Sequence, residues 1–275
     1  MLNLIVRHIT LFSSLYAFSL ILTNNNFLAK IICLIMPLTI FFSKKNYKSY
    51  WIDYLKWSNL FAIIKGLSVF IPLLVYANYE YLFSIDNKHT KLFTILLVFN
   101  ILQPALLICL NSNEKLSKLN GIFLIILALL TPKLFYDDVS KNIIFKKNIL
   151  WGLSSTVILI STYLFNNFYH EVDWRYPGLY SIIIPTLHSI LKKDSSNWLP
   201  LRAFSLGLTL FFHVTFPNIE KKISGELNSN IKWSTDDFNL LKFFFSIIEL
   251  IFVIFLIKKG YKNTFLDYFF KIKFN

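Results

Sequence analysis

Residues 238–257 read FNLLKFFFSIIELIFVIFLI. At 1.5 Å per residue, a helix of these 20 residues is about 30 Å long, which matches the hydrocarbon core of a bilayer. Lys242, Ser246 and Glu249 follow one another at intervals of four and three residues, so a helix places all three on one face. The stretch therefore predicts a transmembrane helix with one polar face, and Glu249 lies close to its midpoint.

The whole chain has the composition of a membrane protein. Of its 275 residues, 55% are apolar and 16% are charged, whereas soluble domains have about 25% charged residues. The mean hydropathy is +0.55. A soluble protein of this length needs more polar surface to cover its core. The composition therefore excludes a soluble enzyme, a disordered chain and a disulfide scaffold, and it predicts a polytopic membrane protein.

Apolar runs of helix length recur along the chain and define the expected topology. We predict transmembrane helices near residues 5–23, 27–43, 57–77, 92–111, 119–136, 149–168, 198–216 and 238–257. The predicted fold class is an all-α polytopic integral membrane protein with about eight transmembrane helices. We expect one transmembrane domain over residues 1–258 and a cytosolic basic-aromatic tail over residues 259–275.

Segment 176–191 (YPGLYSIIIPTLHSIL) fits two topologies. Its 16 residues make a helix of about 24 Å, which is shorter than the hydrocarbon core, and Pro177 and Pro185 interrupt it. If the segment spans, Lys and Arg divide 11 to 13 between the two sides; if it does not, they divide 15 to 9. Because positive residues concentrate on the cytosolic side, the second count is favoured. We predict a short re-entrant or interfacial helix here, with both termini cytosolic.

The net charge of +13 indicates which partners to expect. Only three of the 28 basic residues are Arg, whereas nucleic-acid-binding proteins commonly use Arg to contact phosphates and bases. We therefore expect no nucleic acid partner. Lysines beside membrane spans suit anionic lipid headgroups. The expected partners are the lipid bilayer, a lipid phosphate substrate and other membrane subunits.

The tail of the chain suggests a compartment. Lys271 and Lys273 are the fifth and third residues from the end of the sequence, and they resemble the dilysine retrieval signal of endoplasmic-reticulum membrane proteins. Such a signal is read by a receptor and is not an anchor. The aromatic and basic residues of the tail equally suit an interfacial anchor. We predict a multi-pass protein of the endoplasmic-reticulum membrane.

Polar side chains inside predicted spans form the first candidate site. Arg202 and His213 share the polar face of span 198–216, and Lys65 lies deep in another span. Because such residues normally face protein or water, we predict a cavity in which Arg202, His213 and Glu249 are catalytic and Lys65 binds substrate. Glu249 would act in proton transfer or serve as the counter-ion of Lys65 or Arg202. The alternative is structural: ion pairs and hydroxyl hydrogen bonds that hold the helices together.

A polar turn forms the second candidate site. Residues 169–178 read YHEVDWRYPG. We predict that His170 and Asp173 are catalytic, since His exchanges protons near neutral pH. Arg175 and Trp174 are predicted to bind substrate, because a guanidinium binds phosphate through two parallel hydrogen bonds. The alternative is an interfacial loop, where aromatic and charged residues gather without a ligand.

No motif names a reaction. The five histidines lack the spacing of a metal site, so no metal is predicted, and no cofactor is indicated. The leading hypothesis is a membrane protein that acts on lipid or lipid-linked substrates, as an enzyme or as a subunit of a membrane enzyme complex. A structural or assembly protein is the main alternative. A transporter is disfavoured because no internal repeat is visible and Gly is scarce.

Overall fold

Helices and one β-hairpin make up the described part of the chain. A computed structural model describes residues 2–42, 69, 73, 90–137, 142–145, 149–165, 175–215, 235–259 and 264–265. Within these ranges the elements are α1 (Leu2–Asn24), α2 (Asn26–Phe42), α3 (Thr90–Asn111), α4 (Lys115–Leu129), β1 (Leu134–Asp137), β2 (Asn142–Phe145), α5 (Ile149–Phe165), α6 (Arg175–Lys192), α7 (Trp198–Thr215) and α8 (Thr235–Lys258).

Six helices agree closely with the predicted spans: α1, α2, α3, α5, α7 and α8 begin and end within three residues of them. Predicted span 57–77 lies outside the described residues apart from Val69 and Leu73, both of which are buried. The predominantly helical fold expected from the sequence is therefore confirmed.

The prediction of a span over 119–136 is wrong at both ends. Helix α4 covers 15 residues, from Lys115 to Leu129, and the chain then enters the hairpin. Pro132 explains the early stop, since proline has no N–H for a helical hydrogen bond and its ring blocks the preceding turn. Strands β1 and β2 pair antiparallel, with Leu134 opposite Phe145, and add a small sheet to a fold predicted to be all-α.

Helix α6 is more regular than the sequence suggested. It is one unbroken helix of 18 residues, with Pro185 inside it. Because Pro185 has no N–H, the carbonyl of Ser181 one turn earlier lacks its usual helical donor. The Ser205 hydroxyl of α7 donates to that carbonyl at 3.0 Å. A side chain of the next helix thus compensates for the proline.

Three helices in the described residues are long and apolar enough to cross a membrane. They are the stretches Ile5–Asn24, Thr90–Asn111 and Phe238–Lys258. The length of each matches the 17–25 residues, about 30 Å, that a transmembrane helix needs. Membrane association, predicted from composition, therefore has structural support.

Helix α8 shows the distribution of side chains that a lipid environment favours. Its buried positions include Lys242, Ser246 and Glu249. Its exposed positions are occupied by large apolar residues, namely Leu240, Phe243, Phe244, Ile247, Ile248, Leu250, Ile251, Ile254, Phe255 and Ile257. In water this arrangement is unfavourable, since large exposed apolar patches are rare on soluble monomers. In a bilayer it places polar groups against protein and apolar groups against lipid.

The chain divides into two compact units. The first contains residues 1–84, 169–184 and 200–232, and the second contains residues 85–168, 185–199 and 233–275. In the first unit, Gly207 of α7 packs so closely that an added Cβ would lie 2.4 Å from Leu73 and 3.7 Å from Met36. The single transmembrane domain over 1–258 stays a prediction.

Hydrogen bonds fix the directions of three helices in the second unit. Near the start of α8, the Lys242 ammonium contacts Glu114, just before α4, and donates to the carbonyl of Phe165, the last residue of α5, at 3.2 Å. We call this level of the unit the Glu114 end. It joins the beginnings of α4 and α8 to the end of α5.

The opposite end of the same helices is joined by other contacts. The Trp151 indole of α5 donates to the carbonyl of Leu127 in α4 at 3.1 Å. After α8, the N–H of Phe265 donates to the carbonyl of Thr131 at 2.8 Å. We call this level the Lys258 end, after the last residue of α8. Helices α4 and α8 are therefore parallel, and α5 is antiparallel to both.

Candidate functional site: a buried polar seam

A seam of polar side chains runs between α4, α5 and α8 in the second unit. It consists of Glu114, Ser117, Asn120, Ser161, Thr162, Lys242, Ser246 and Glu249. On α8 the three members recur every three or four residues, which keeps them on the side that faces the other helices. The apolar residues Val253 and Leu256 continue the same buried face toward the Lys258 end.

Lys242 is fully committed to neighbouring groups. Its ammonium contacts the Glu114 carboxylate and donates to the Ser117 hydroxyl at 2.9 Å and to the Phe165 carbonyl at 3.2 Å. An ammonium has three N–H donors, and here each has an acceptor. The side chain of Lys242 is 4% exposed, while that of Glu114 is 41% exposed. The pair thus joins a buried cation to a carboxylate that still reaches the surface.

Glu249 is fully buried and only half satisfied. Its residue exposure is 0%, and Oε1 accepts a hydrogen bond from the Asn120 amide at 3.1 Å. The Ser161 hydroxyl approaches the same carboxyl, yet no described group meets hydrogen-bond geometry at Oε2. Lys242 is two helical turns away on α8 and is committed to Glu114. Among the described residues, Glu249 therefore forms no ion pair, and the Lys242 charge acts on it only from a distance.

Asn120 connects the helices of the seam. Its Nδ2 donates both to Glu249 and to the carbonyl of Ile158, the latter at 3.2 Å. Its Oδ1 accepts from the Thr162 hydroxyl at 2.8 Å. A single amide on α4 thus holds α5 and α8 in register. Because both of its N–H donors are used, Asn120 has no donor left for a ligand.

One narrow gap in the seam has no room for a water molecule, and it is lined by Leu116, Ser117, Asn120, Ser161, Phe165, Lys242 and Ser246. Buried polar groups are costly unless they are hydrogen-bonded, so the polar groups beside this gap depend on direct contacts with side chains and backbone carbonyls. The unpaired oxygen of Glu249 is the exception.

The predicted site residues fall in several places. Glu249 belongs to the seam. Arg202 belongs to the first unit, where its guanidinium contacts the Ser181 hydroxyl. Arg175 is the first residue of α6, and His213 lies in the last turn of α7. The remaining predicted site residues lie outside the described part of the chain: Lys65, His170, Asp173 and Trp174. Their convergence on one cavity stays a prediction.

Sequence reasoning missed the partners of the buried charges. Lys242 pairs with Glu114, and Glu249 binds Asn120, although the sequence suggested Lys65 or Arg202 as the counter-ion of Glu249. A signal was present, because Glu114, Ser117 and Asn120 recur at intervals of three residues, which places them near one face of a helix. The spacing reveals a polar face but not which helix it contacts.

Metal binding has no support in the described ranges, which hold no group of three His, Cys, Asp or Glu side chains placed to bind an ion. Comparison with family models, curated proteins and solved structures found no significant match.

Proposed function

We propose that this chain is a multi-pass protein of the endoplasmic-reticulum membrane that acts on lipid or lipid-linked substrates, as an enzyme or as a subunit of a membrane enzyme complex. Glu249 is the residue on which its activity depends. The proposal extends to a cytosolic C-terminal tail and to a lipid phosphate held by the polar turn around Arg175.

Two buried ionisable groups on one helix differ in their hydrogen-bond partners, and this difference supports the proposal. Lys242 has an acceptor for each N–H, as a purely structural cation should. Glu249 keeps an oxygen without a partner in the described structure, at the middle of a span. Ionisable groups inside membranes are costly and usually functional. A free carboxyl oxygen is able to take up or release a proton, so we assign Glu249 an acid–base role.

A structural or assembly protein is the second candidate, and a specific observation favours it. The hydrogen bonds of Lys242 and Asn120 connect α4, α5 and α8 into one network. Interhelical hydrogen bonds of this kind hold membrane bundles together without any catalytic task. If Glu249 serves only this network, its removal should lower the amount of folded protein and change nothing else.

Lipid-resolved mass analysis of cells carrying single variants separates the two functions. Glu249→Gln keeps the shape of the side chain and an acceptor for Asn120 but removes the carboxyl. Ser246→Ala is the matched control, because the Ser246 hydroxyl bonds only to the Lys242 carbonyl of its own helix among the described contacts. Protein abundance is measured alongside the lipids.

We expect Glu249→Gln to preserve abundance while one lipid species accumulates at least severalfold, and Ser246→Ala to match wild type. The accumulating species then names the substrate class. Unchanged lipids at normal abundance of the Glu249→Gln variant would contradict the proposed function. Loss of the protein itself would support the structural alternative.

A further inference from the structure

The route of the chain between α5 and α8 is fixed by contacts of the second unit. Helix α5 ends at the Glu114 end, because the Phe165 carbonyl accepts from Lys242. Helix α8 begins at that same end. The chain between α5 and α8 must therefore either stay at this end or cross to the other end and return.

Contacts of Trp198 place the intervening turn at the opposite end. The ring centroids of Trp198 and Trp151 are 5.5 Å apart, at an interplanar angle of 79°. An added Cβ on Gly152 would lie only 3.1 Å from the Trp198 indole nitrogen. Trp151 and Gly152 are in the first turn of α5, at the Lys258 end. The start of α7 therefore lies at the Lys258 end.

The end of α6 lies beside it. The Trp198 indole donates to the Thr186 hydroxyl of α6 at 2.9 Å, and that hydroxyl also contacts Thr156 of α5. Helix α6 then ends in a Schellman motif: Asp194 N–H donates to the Ser189 carbonyl, and Lys193, with φ of 53°, occupies the left-handed position. The turn over 193–197 is thus short and defined.

We propose that α6 and α7 form a transmembrane hairpin, so that 175–192 crosses the bilayer instead of lying re-entrant or at its interface. The chain leaves the Glu114 end after Phe165, reaches the Lys258 end at the 193–197 turn, and is back at the Glu114 end by Thr235. In the described chain, α6 and α7 are the helices available for these two passages. Each has 18 residues, or about 27 Å of helix.

Helices α6 and α7 are less apolar than the three helices that are long and apolar enough to cross a membrane, but protein groups satisfy two serines and the open carbonyl of α6. Ser189 donates to the carbonyl of Pro185 at 2.8 Å, and Ser181 donates to that of Gly178 at 2.7 Å. The carbonyl left open by Pro185 accepts from Ser205 of α7. Proline is tolerated within membrane helices where a neighbouring helix supplies such a donor. Exposed Ile190 and Leu191 then face lipid.

The count of basic residues favoured a re-entrant or interfacial helix over 176–191, but it only weakly constrains a transmembrane α6. With α6 as a span, the basic residues divide almost evenly, 11 to 13, so the charge rule neither requires nor forbids the crossing. Direct contacts at Trp198 and Thr186 decide between the two. Added to the eight predicted spans, α6 makes nine crossings, which places the two termini on opposite sides of the membrane and replaces the sequence prediction that both are cytosolic.

Single-cysteine labelling in sealed microsomes tests the hairpin. Cys33 and Cys109 are first replaced by Ala, and Cys is then introduced at one exposed position: Asn113 at the Glu114 end, Lys259 at the Lys258 end, or Lys192 at the turn. A membrane-impermeant maleimide is applied before or after permeabilisation. Asn197→Cys provides a second variant at the turn.

We expect Lys192→Cys and Asn197→Cys to be labelled from the same side as Lys259→Cys, and at least tenfold less from the side where Asn113→Cys reacts. Labelling of the turn from the Asn113 side would overturn the proposal and restore the re-entrant or interfacial helix. Labelling of Asn113→Cys and Lys259→Cys from one side would also overturn it, because α8 would then not cross.

Discussion

Lys242 and Glu249 lie two turns apart on the same face of α8, yet the fold treats them differently. Around Lys242, a carboxylate, a hydroxyl and a backbone carbonyl accept its N–H groups. Around Glu249, one amide donates to one oxygen, and the other oxygen has no described partner. Two buried ionisable residues on one helix therefore need not have the same task.

The difference follows from depth. Lys242 is one turn inside the candidate span that starts at Phe238, so it reaches Glu114, whose carboxylate is partly exposed. Glu249 is at the middle of the span, where only helix side chains are available. At that depth satisfaction depends on neutral donors such as Asn120. An ionisable residue placed where no counter-ion reaches it is costly, which is why such positions indicate function.

The largest expected effect on stability comes from removing Glu114, the partly exposed partner of Lys242. Glu114→Ala leaves a buried ammonium without its carboxylate. Removing one partner of a buried ion pair costs about 3–5 kcal/mol, and the partial exposure of Glu114 puts the expected loss at the lower limit of that range. The free energy of unfolding, measured by denaturant titration in detergent, checks this value.

A double variant separates the ion pair from packing. Lys242→Met removes the buried charge with little change of volume, so Glu114→Ala combined with Lys242→Met should be less destabilised than Glu114→Ala alone. If the two single losses simply add, the pair does not couple the helices, and the contrast with Glu249 disappears.

Substitution of Asn120 is the next test, because it removes the hydrogen-bond donor of Glu249 without changing a charge. Asn120→Ala removes the donors to Glu249 and to the Ile158 carbonyl and the acceptor for Thr162. Hydrogen bonds between membrane helices average about 0.6 kcal/mol each, so three of them predict a loss of about 2 kcal/mol. The same detergent titration measures it, with Ser246→Ala as the control that should differ little from wild type.

The sequence predicted the helices better than it predicted their contacts. Periodicity along α8 placed Lys242, Ser246 and Glu249 on one face because side-chain direction in a helix is a local property. The partner of each charge is a non-local property, and neither Glu114 nor Asn120 was identified. Pro185 shows the same limit: its sequence indicates an interruption, while the Ser205 hydroxyl that compensates for it lies on another helix.

Glu249→Gln should have a smaller effect on stability than Asn120→Ala and a larger effect on activity. The amide keeps an oxygen for Asn120 and removes a carboxyl whose second oxygen is unpaired, so we expect the free energy of unfolding to change by less than about 1 kcal/mol. Detergent titration of the purified variant gives this number. A loss as large as that of Glu114→Ala would mean that Glu249 is as structural as Lys242.

Ser161→Ala should have the smallest effect on stability, and it tests whether Glu249 has a second hydrogen-bond partner. Ser161 is buried and its hydroxyl approaches the Glu249 carboxyl, but the two groups do not meet hydrogen-bond geometry in the described structure. Its removal should therefore change the free energy of unfolding by less than the roughly 0.6 kcal/mol of an average interhelical bond. If Ser161→Ala instead destabilises the protein as much as Asn120→Ala, the hydroxyl must satisfy Oε2. Glu249 would then be as fully partnered as Lys242, and no free carboxyl oxygen would distinguish it as an acid–base residue.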